Sequence, residues 1–142
     1  IGASFDENVS PIRGTMQALV SEYTPYLMDR SIGRLAADLA LVDMRTGART
    51  PLKTRVPSNP SVSPGGRYVL FSEGGHWWTI DLTTKAVTNV TRTVKTSFVD
   101  TESDSTAPEK PMFGVAGWTA NDAEVVLYDK LGLWSVTPDG RR

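Results

Sequence analysis

The stretch Ser63–Asp81, SPGGRYVLFSEGGHWWTID, returns in outline 56 positions further on, at Thr119–Thr137. Ser63 falls on Thr119, Val69 on Val125, Trp78 on Trp134, Ile80 on Val136 and Asp81 on Thr137, without a gap. Few residues are identical, but the turn-forming, β-forming and aromatic classes agree. In the other direction, a shift of 38 brings Ile80-Asp81-Leu82 onto Val42-Asp43-Met44. The two shifts differ by 18, and Val94–Pro111 is a polar segment of 18 residues. One repeat of about 40 residues with a single inserted loop accounts for both shifts.

The repeated unit reads turn, strand, turn, strand. Ser63-Pro64-Gly65-Gly66 is a turn, because Pro presets φ and Gly supplies positive φ at little cost. Arg67–Ser72 carries Tyr68, Val69, Leu70 and Phe71, a short β-forming run that suits a buried strand. Glu73-Gly74-Gly75 turns the chain, and His76–Asp81 is a second strand with Trp77, Trp78 and Ile80.

Short strands recurring at this period predict an all-β chain, a partial β-propeller of about three antiparallel four-stranded blades. The blades fall at about 15–52, 53–91 and 112–142, with 94–111 as the inserted acidic, proline-bearing loop. Propellers take about four to eight blades, so this chain alone does not close a ring. Each blade needs neighbours on its two faces, and open blade edges are sites of self-association. The chain starts at Ile1 rather than Met and stops after a turn signal, which predicts a piece of a longer protein.

Elsewhere the pattern is less regular. Ile1–Gly14 reads as polar and irregular, Thr15–Glu22 as a strand and Tyr23–Leu35 as a long loop with Pro25 and Gly33. Ala36–Met44 and Ala48–Leu52 read as a strand pair, and Lys53–Asn59 as a short inner strand broken by Pro57 and Pro60. Ala86–Thr91, Met112–Thr119, Ala123–Tyr128 and Leu131–Thr137 are further strands, with Gly114 and Gly117 permitting close backbone approach. Asn121-Asp122 and Pro138-Asp139-Gly140 are turn signals.

Composition excludes several chemistries. The 142 residues have a formal net charge of −1 and no basic patch, which gives no electrostatic case for nucleic acid. There is no Cys, so neither disulfide nor thiolate chemistry is available, a usage compatible with export. No apolar run approaches the roughly 18 residues of a membrane span. A Ser-His-Asp triad on an elbow would need G-x-S-x-G, which does not occur. The only His is His76, at the start of a strand. One His and no Cys do not make a zinc site.

Asp100, Glu102 and Asp104 alternate as calcium ligands do, but Ser105 and Pro111 stand where the turn Gly and bidentate Glu of an EF-hand belong. They read as a solvated acidic loop. Trp77, Trp78, Trp118 and Trp134 offer a stacking surface for a ligand, but their matched places in the repeat favour packing between blades. Asp43 and Asp81 close equivalent strands and read as acceptors for turn N–H groups. Asn8-Val9-Ser10 and Asn89-Val90-Thr91 match the glycosylation pattern, the first followed by Pro11. No catalytic, cofactor-binding or metal-binding residue is assigned, and no cofactor is expected.

SPGGRYVLFSEGGHWWTIDLTT is similar to the blades of prolyl oligopeptidase and dipeptidyl peptidase IV relatives and of TolB-type propellers. Asn89-Val90-Thr91, the acidic proline loop, and then GVAGWTANDAEVVLYDKLGLWSVTPDG (Gly114–Gly140) resemble bacterial members of the prolyl oligopeptidase family. Tyr128-Asp129 and Trp134 match that pattern, whereas Phe113 replaces a Tyr and Leu133 an Ile. The resemblance spans roughly Asn59–Gly140 and is thin before Ala36.

It implies an N-terminal propeller that covers the active site of a C-terminal α/β-hydrolase domain and restricts access to peptides. This chain would then be a non-catalytic segment of an exported, periplasmic or secreted serine peptidase. The catalytic residues would lie in the hydrolase domain, and no match exists for the paired glutamates that grip the substrate amine. Two alternatives remain open: a TolB-like protein-binding or assembly propeller without hydrolase activity, and a scaffold in which several such chains complete a ring.

Overall fold

The computed structural model describes residues 7–141. Among them the fold is all-β, with three antiparallel sheets and one short α-helix. The first sheet is an up-and-down meander of β1 (Glu7–Pro11), β2 (Gln17–Glu22), β3 (Ala37–Asp43) and β4 (Arg49–Val56). The second is a meander of β5 (Ser61–Val62), β6 (Tyr68–Glu73), β7 (His76–Asp81) and β8 (Val87–Asn89). The third has β9 (Val115–Trp118), β10 (Val125–Tyr128) and β11 (Leu133–Val136).

The second sheet lies between the other two. Along β6, Val69 and Phe71 join the core shared with the first sheet, made with Leu19, Leu39 and Leu41. Leu70 joins the core shared with the third sheet, made with Val125, Leu127 and Val136. Alternate side chains thus enter opposite cores, which is why the strand reads as an unbroken apolar run rather than an alternating one. Trp78 packs on the first core and stacks on Phe71, with ring centroids 6.4 Å apart. Trp77 lies in the second core, and Tyr68 stacks on Trp118 at 5.9 Å.

Adjacent sheets also meet through their turns. A methyl group added at Gly66 would lie 2.9 Å from Ile12, in the β1–β2 turn. One added at Gly65 would lie 2.6 Å from the Asp122 carboxylate, in the β9–β10 connection. Gly65 and Gly66 therefore let three equivalent turns abut side by side. A further tie between the two sheets is the Thr79 hydroxyl, which donates to the Pro138 carbonyl at 2.6 Å and so joins β7 to the segment that follows β11.

Several expectations are corrected. Glu7–Pro11, expected to be irregular, forms β1 by pairing with β2, and residues 1–6 of that segment lie outside the described residues. The 23–35 loop contains a 3₁₀ turn (Thr24–Tyr26) and the helix α1 (Leu27–Ser31). Lys53–Val56 is not a separate inner strand. It prolongs β4 through register shifts opposite β3, and Ser61–Val62 is the strand beside β6. Gly114 and Gly117 do not mark close approach, because nothing lies within 4 Å of a Cβ at either. They have φ of 114° and 153°, next to an irregularity in the β9–β10 register. Trp134 is 39% exposed rather than packed between sheets, with its indole N–H on Asp129.

The inserted loop is more than a solvated excursion. Phe98 is fully buried in the second core, Val99 bridges to Met112, and Phe113 donates its N–H to the Phe98 carbonyl. One aromatic anchor and a pinched neck hold both ends of the polar segment against the sheets.

Candidate functional site

A concavity of about 910 Å³ opens between the first and second sheets. Three connections build it. α1 and the segment after it supply Asp29 and Arg34, the end of β4 and the crossing to the second sheet supply Arg55 and Ser58, and the exit of the inserted loop supplies Glu109 and Lys110. The β6–β7 hairpin, Ser72–Gly75, completes the wall. Pro108 lies 3.6 Å from where a Gly33 Cβ would be, so the inserted loop reaches across to the α1 segment.

The arginine wall is tightly braced. Arg55 has φ of 50°, an uncommon conformation for a residue with a Cβ. Its backbone N–H donates to Asp38 at 2.9 Å, its guanidinium reaches Asp29 at 3.0 Å, and the same group lies 5.2 Å from the Tyr26 ring centre. Tyr26 in turn donates its hydroxyl to Asp38. That bond to the carboxylate, aided by partial burial, pushes the Tyr26 phenol above its ordinary value. On the same strand as Arg55, Lys53 pairs with Glu73 at 3.5 Å and lies over the Phe71 ring.

The cleft is lined by both signs of charge and by Pro108, Pro111 and Met112, a wall suited to holding a polar chain without selecting one charge. The Ser58 hydroxyl is committed to structure. Ser58 donates to the Ser72 carbonyl at 2.8 Å and accepts the Ser72 N–H at 2.9 Å. This pair fixes the chain where it leaves the first sheet.

The residues singled out from sequence lie elsewhere. His76 opens β7, and its Nδ1 is 3.1 Å from Thr91 Oγ1. That hydroxyl is fully buried and already accepts the Trp77 N–H, so the two side chains form a strand-edge hydrogen bond rather than a base and nucleophile. In the Asn89-Val90-Thr91 pattern, Thr91 is buried and Asn89 Oδ1 accepts the Thr91 N–H at 3.1 Å. In the first such pattern, Asn8 sits within β1.

Asp100 accepts the Glu102 N–H, and Glu102 pairs with Lys130, so the acidic loop is used for turn and surface contacts. Among the described residues no three His, Cys, Asp or Glu side chains are grouped to hold a metal ion. Asp43 accepts the Arg45 N–H at 2.8 Å, and Asp81 accepts those of Thr83 and Thr84. Both cap their turns as expected. Burial works against the Asp81 charge, but the two N–H groups and Arg67 outweigh it and hold this carboxyl below its ordinary value.

Sequence reasoning passed over Asp122 and the whole Arg34–Arg55–Lys110 cleft. Asp122 is buried, accepting from Ser63 Oγ at 2.6 Å and from the Gly65 N–H at 2.9 Å. The repeat alignment carried a signal for it, since Asp122 falls where the central unit has Gly66. The cleft had none, because most of its wall comes from connections that do not repeat. No helix among the described residues is long and apolar enough to cross a membrane. Compared with protein-family models and with curated proteins, the chain matches none.

Proposed function

We propose that this chain is a segment of a β-propeller that acts as a non-catalytic scaffold and access filter in an exported bacterial serine peptidase of the prolyl oligopeptidase type. The observation that carries the reading is the stacking of three meander sheets with abutting β1–β2, β5–β6 and β9–β10 turns. Sheets related in this way, each buried by its neighbours, are what an unclosed arc of blades requires. The peptidase assignment rests on the resemblance of residues 59–140 to blades of that family.

In this reading the sheets act by steric exclusion. Cores on both faces of the second sheet make it stiff, and a stiff ring beside a hydrolase domain admits a peptide and rejects a folded protein. The mixed-charge cleft lies at the end of the sheets where the β2–β3 and β6–β7 connections emerge, and a passing peptide would meet it there.

The experiment is to treat the full-length protein with a fluorophosphonate probe and to assay it on short peptides and on a folded protein. Labelling of one serine outside residues 1–142, with cleavage of peptides alone, is the expected result. Absence of labelling would overturn the peptidase reading and leave a binding propeller of TolB type.

A further inference from the structure

We infer that the outward face of the third sheet is an interface for a further meander sheet of the same repeat, with Val126, Tyr128 and Leu133 as its contact residues. The inference rests on the propeller reading above and adds which side chains meet the next sheet.

Register divides the third sheet into two faces. Val125 pairs with Val136 and Leu127 with Trp134, and Val125, Leu127 and Val136 enter the core shared with the second sheet. Val126 pairs with Ser135 and Tyr128 with Leu133, so these four share the opposite face. Leu133 is 60% exposed there and Tyr128 43%.

The repeat says what covers such a face. Fifty-six positions upstream, Val126 and Leu133 correspond to Leu70 and Trp77. Both of those are buried, and what covers them is the third sheet itself. The position of Ser135 corresponds to Thr79, which donates to the Pro138 carbonyl just beyond β11. One departure is informative. Glu124 stands where Tyr68 stands, and Ser135 donates to it at 2.6 Å. This end of the interface is therefore polar, and the apolar contact lies toward Tyr128 and Leu133.

The occupant must present aliphatic side chains at the places taken by Val125, Leu127 and Val136 in the third sheet. A second copy of this chain does not supply them. Its matching face is that of Ala18, Val20 and Val42 on the first sheet, and those residues are already buried. A further sheet of the same polypeptide fits the face without rearrangement.

The 142 residues contain no Cys, which permits a direct test. Leu133→Cys and Tyr128→Cys would be introduced separately into the full-length protein, with Met28→Cys, at an 82% exposed helix position, as the reference. Alkylation would be followed by peptide mapping over a range of protein concentrations. Reaction at least about tenfold slower at 133 and 128 than at 28, independent of concentration, is expected. Equal rates would overturn the proposal, as would protection that disappears on dilution, which would indicate self-association. The fluorophosphonate result is independent, so failure of the peptidase reading and failure of this interface are told apart.

Discussion

Asp122 accepts the hydroxyl of Ser63 at 2.6 Å, although 59 residues of chain separate them. The same carboxylate accepts the Gly65 N–H, so the β9–β10 connection of the third sheet closes the β5–β6 turn of the second. A buried carboxylate is tolerated because its acceptors are used. Asp122→Ala leaves the Ser63 hydroxyl and the Gly65 N–H without their acceptor, and it should destabilise the protein by about 2–4 kcal/mol in urea unfolding. Ser63→Ala combined with Asp122→Ala should be clearly less than additive, by on the order of 1 kcal/mol.

Gly65→Ala tests the close approach at the same point. The added methyl would lie 2.6–3.0 Å from the Asp122 carboxylate, and the turn would have to open. A loss of about 2–3 kcal/mol is expected. Gly47→Ala provides the contrast. Its φ is 74° but nothing lies within 4 Å of the new methyl, so only backbone strain of about 1 kcal/mol should appear. Thermal melts of the two variants should fall in that order.

Phe98→Ala tests whether the inserted loop is anchored. Phe98 is buried in the core that holds Leu70 and Trp77 of the second sheet, Val90 just after β8, and Val125 of the third sheet. Its truncation should cost about 3–5 kcal/mol, as for any large core aromatic. Leu131→Ala, at a 93% exposed position, should change stability by less than about 0.5 kcal/mol. If the two variants unfold at the same denaturant concentration, the loop is not part of the core.

The repeat was legible because a sheet buried on both faces leaves a run such as Tyr68-Val69-Leu70-Phe71, and because Asp43 and Asp81 cap their turns at equivalent places. What escaped notice depends on contacts distant in sequence. Glu7–Pro11 is polar and becomes a strand only because β2 offers it an edge. α1 is five residues long with no side-chain cap, too little to leave a pattern in sequence. The Arg55 network joins Asp29, Tyr26 and Asp38 around a backbone conformation that no local motif announces. Trp134 shares its place in the repeat with Trp78 but lies toward solvent, where its N–H serves Asp129.

Acid should weaken the fold in a defined window. Asp129 is held down to about 2 by hydrogen bonds from the Trp134 indole, the Thr96 hydroxyl and the Leu131 and Gly132 N–H groups. Asp139 is also lowered, chiefly by the Thr137 hydroxyl. A carboxyl lowered on folding stabilises the fold above its unfolded value of 3.8 and loses that contribution as pH falls through its folded value. Stability should therefore decline between about pH 4 and pH 2. Asp129→Asn should flatten this decline, with urea unfolding at each pH as the readout.

An experimental structure of the full-length protein is the most direct test of the arrangement of sheets. The account predicts that the three sheets continue as an arc about one axis, and that a fourth meander sheet covers Val126, Tyr128 and Leu133. A structure in which those side chains face solvent, or in which the sheet beside them is not built from the same hairpin repeat, would contradict it.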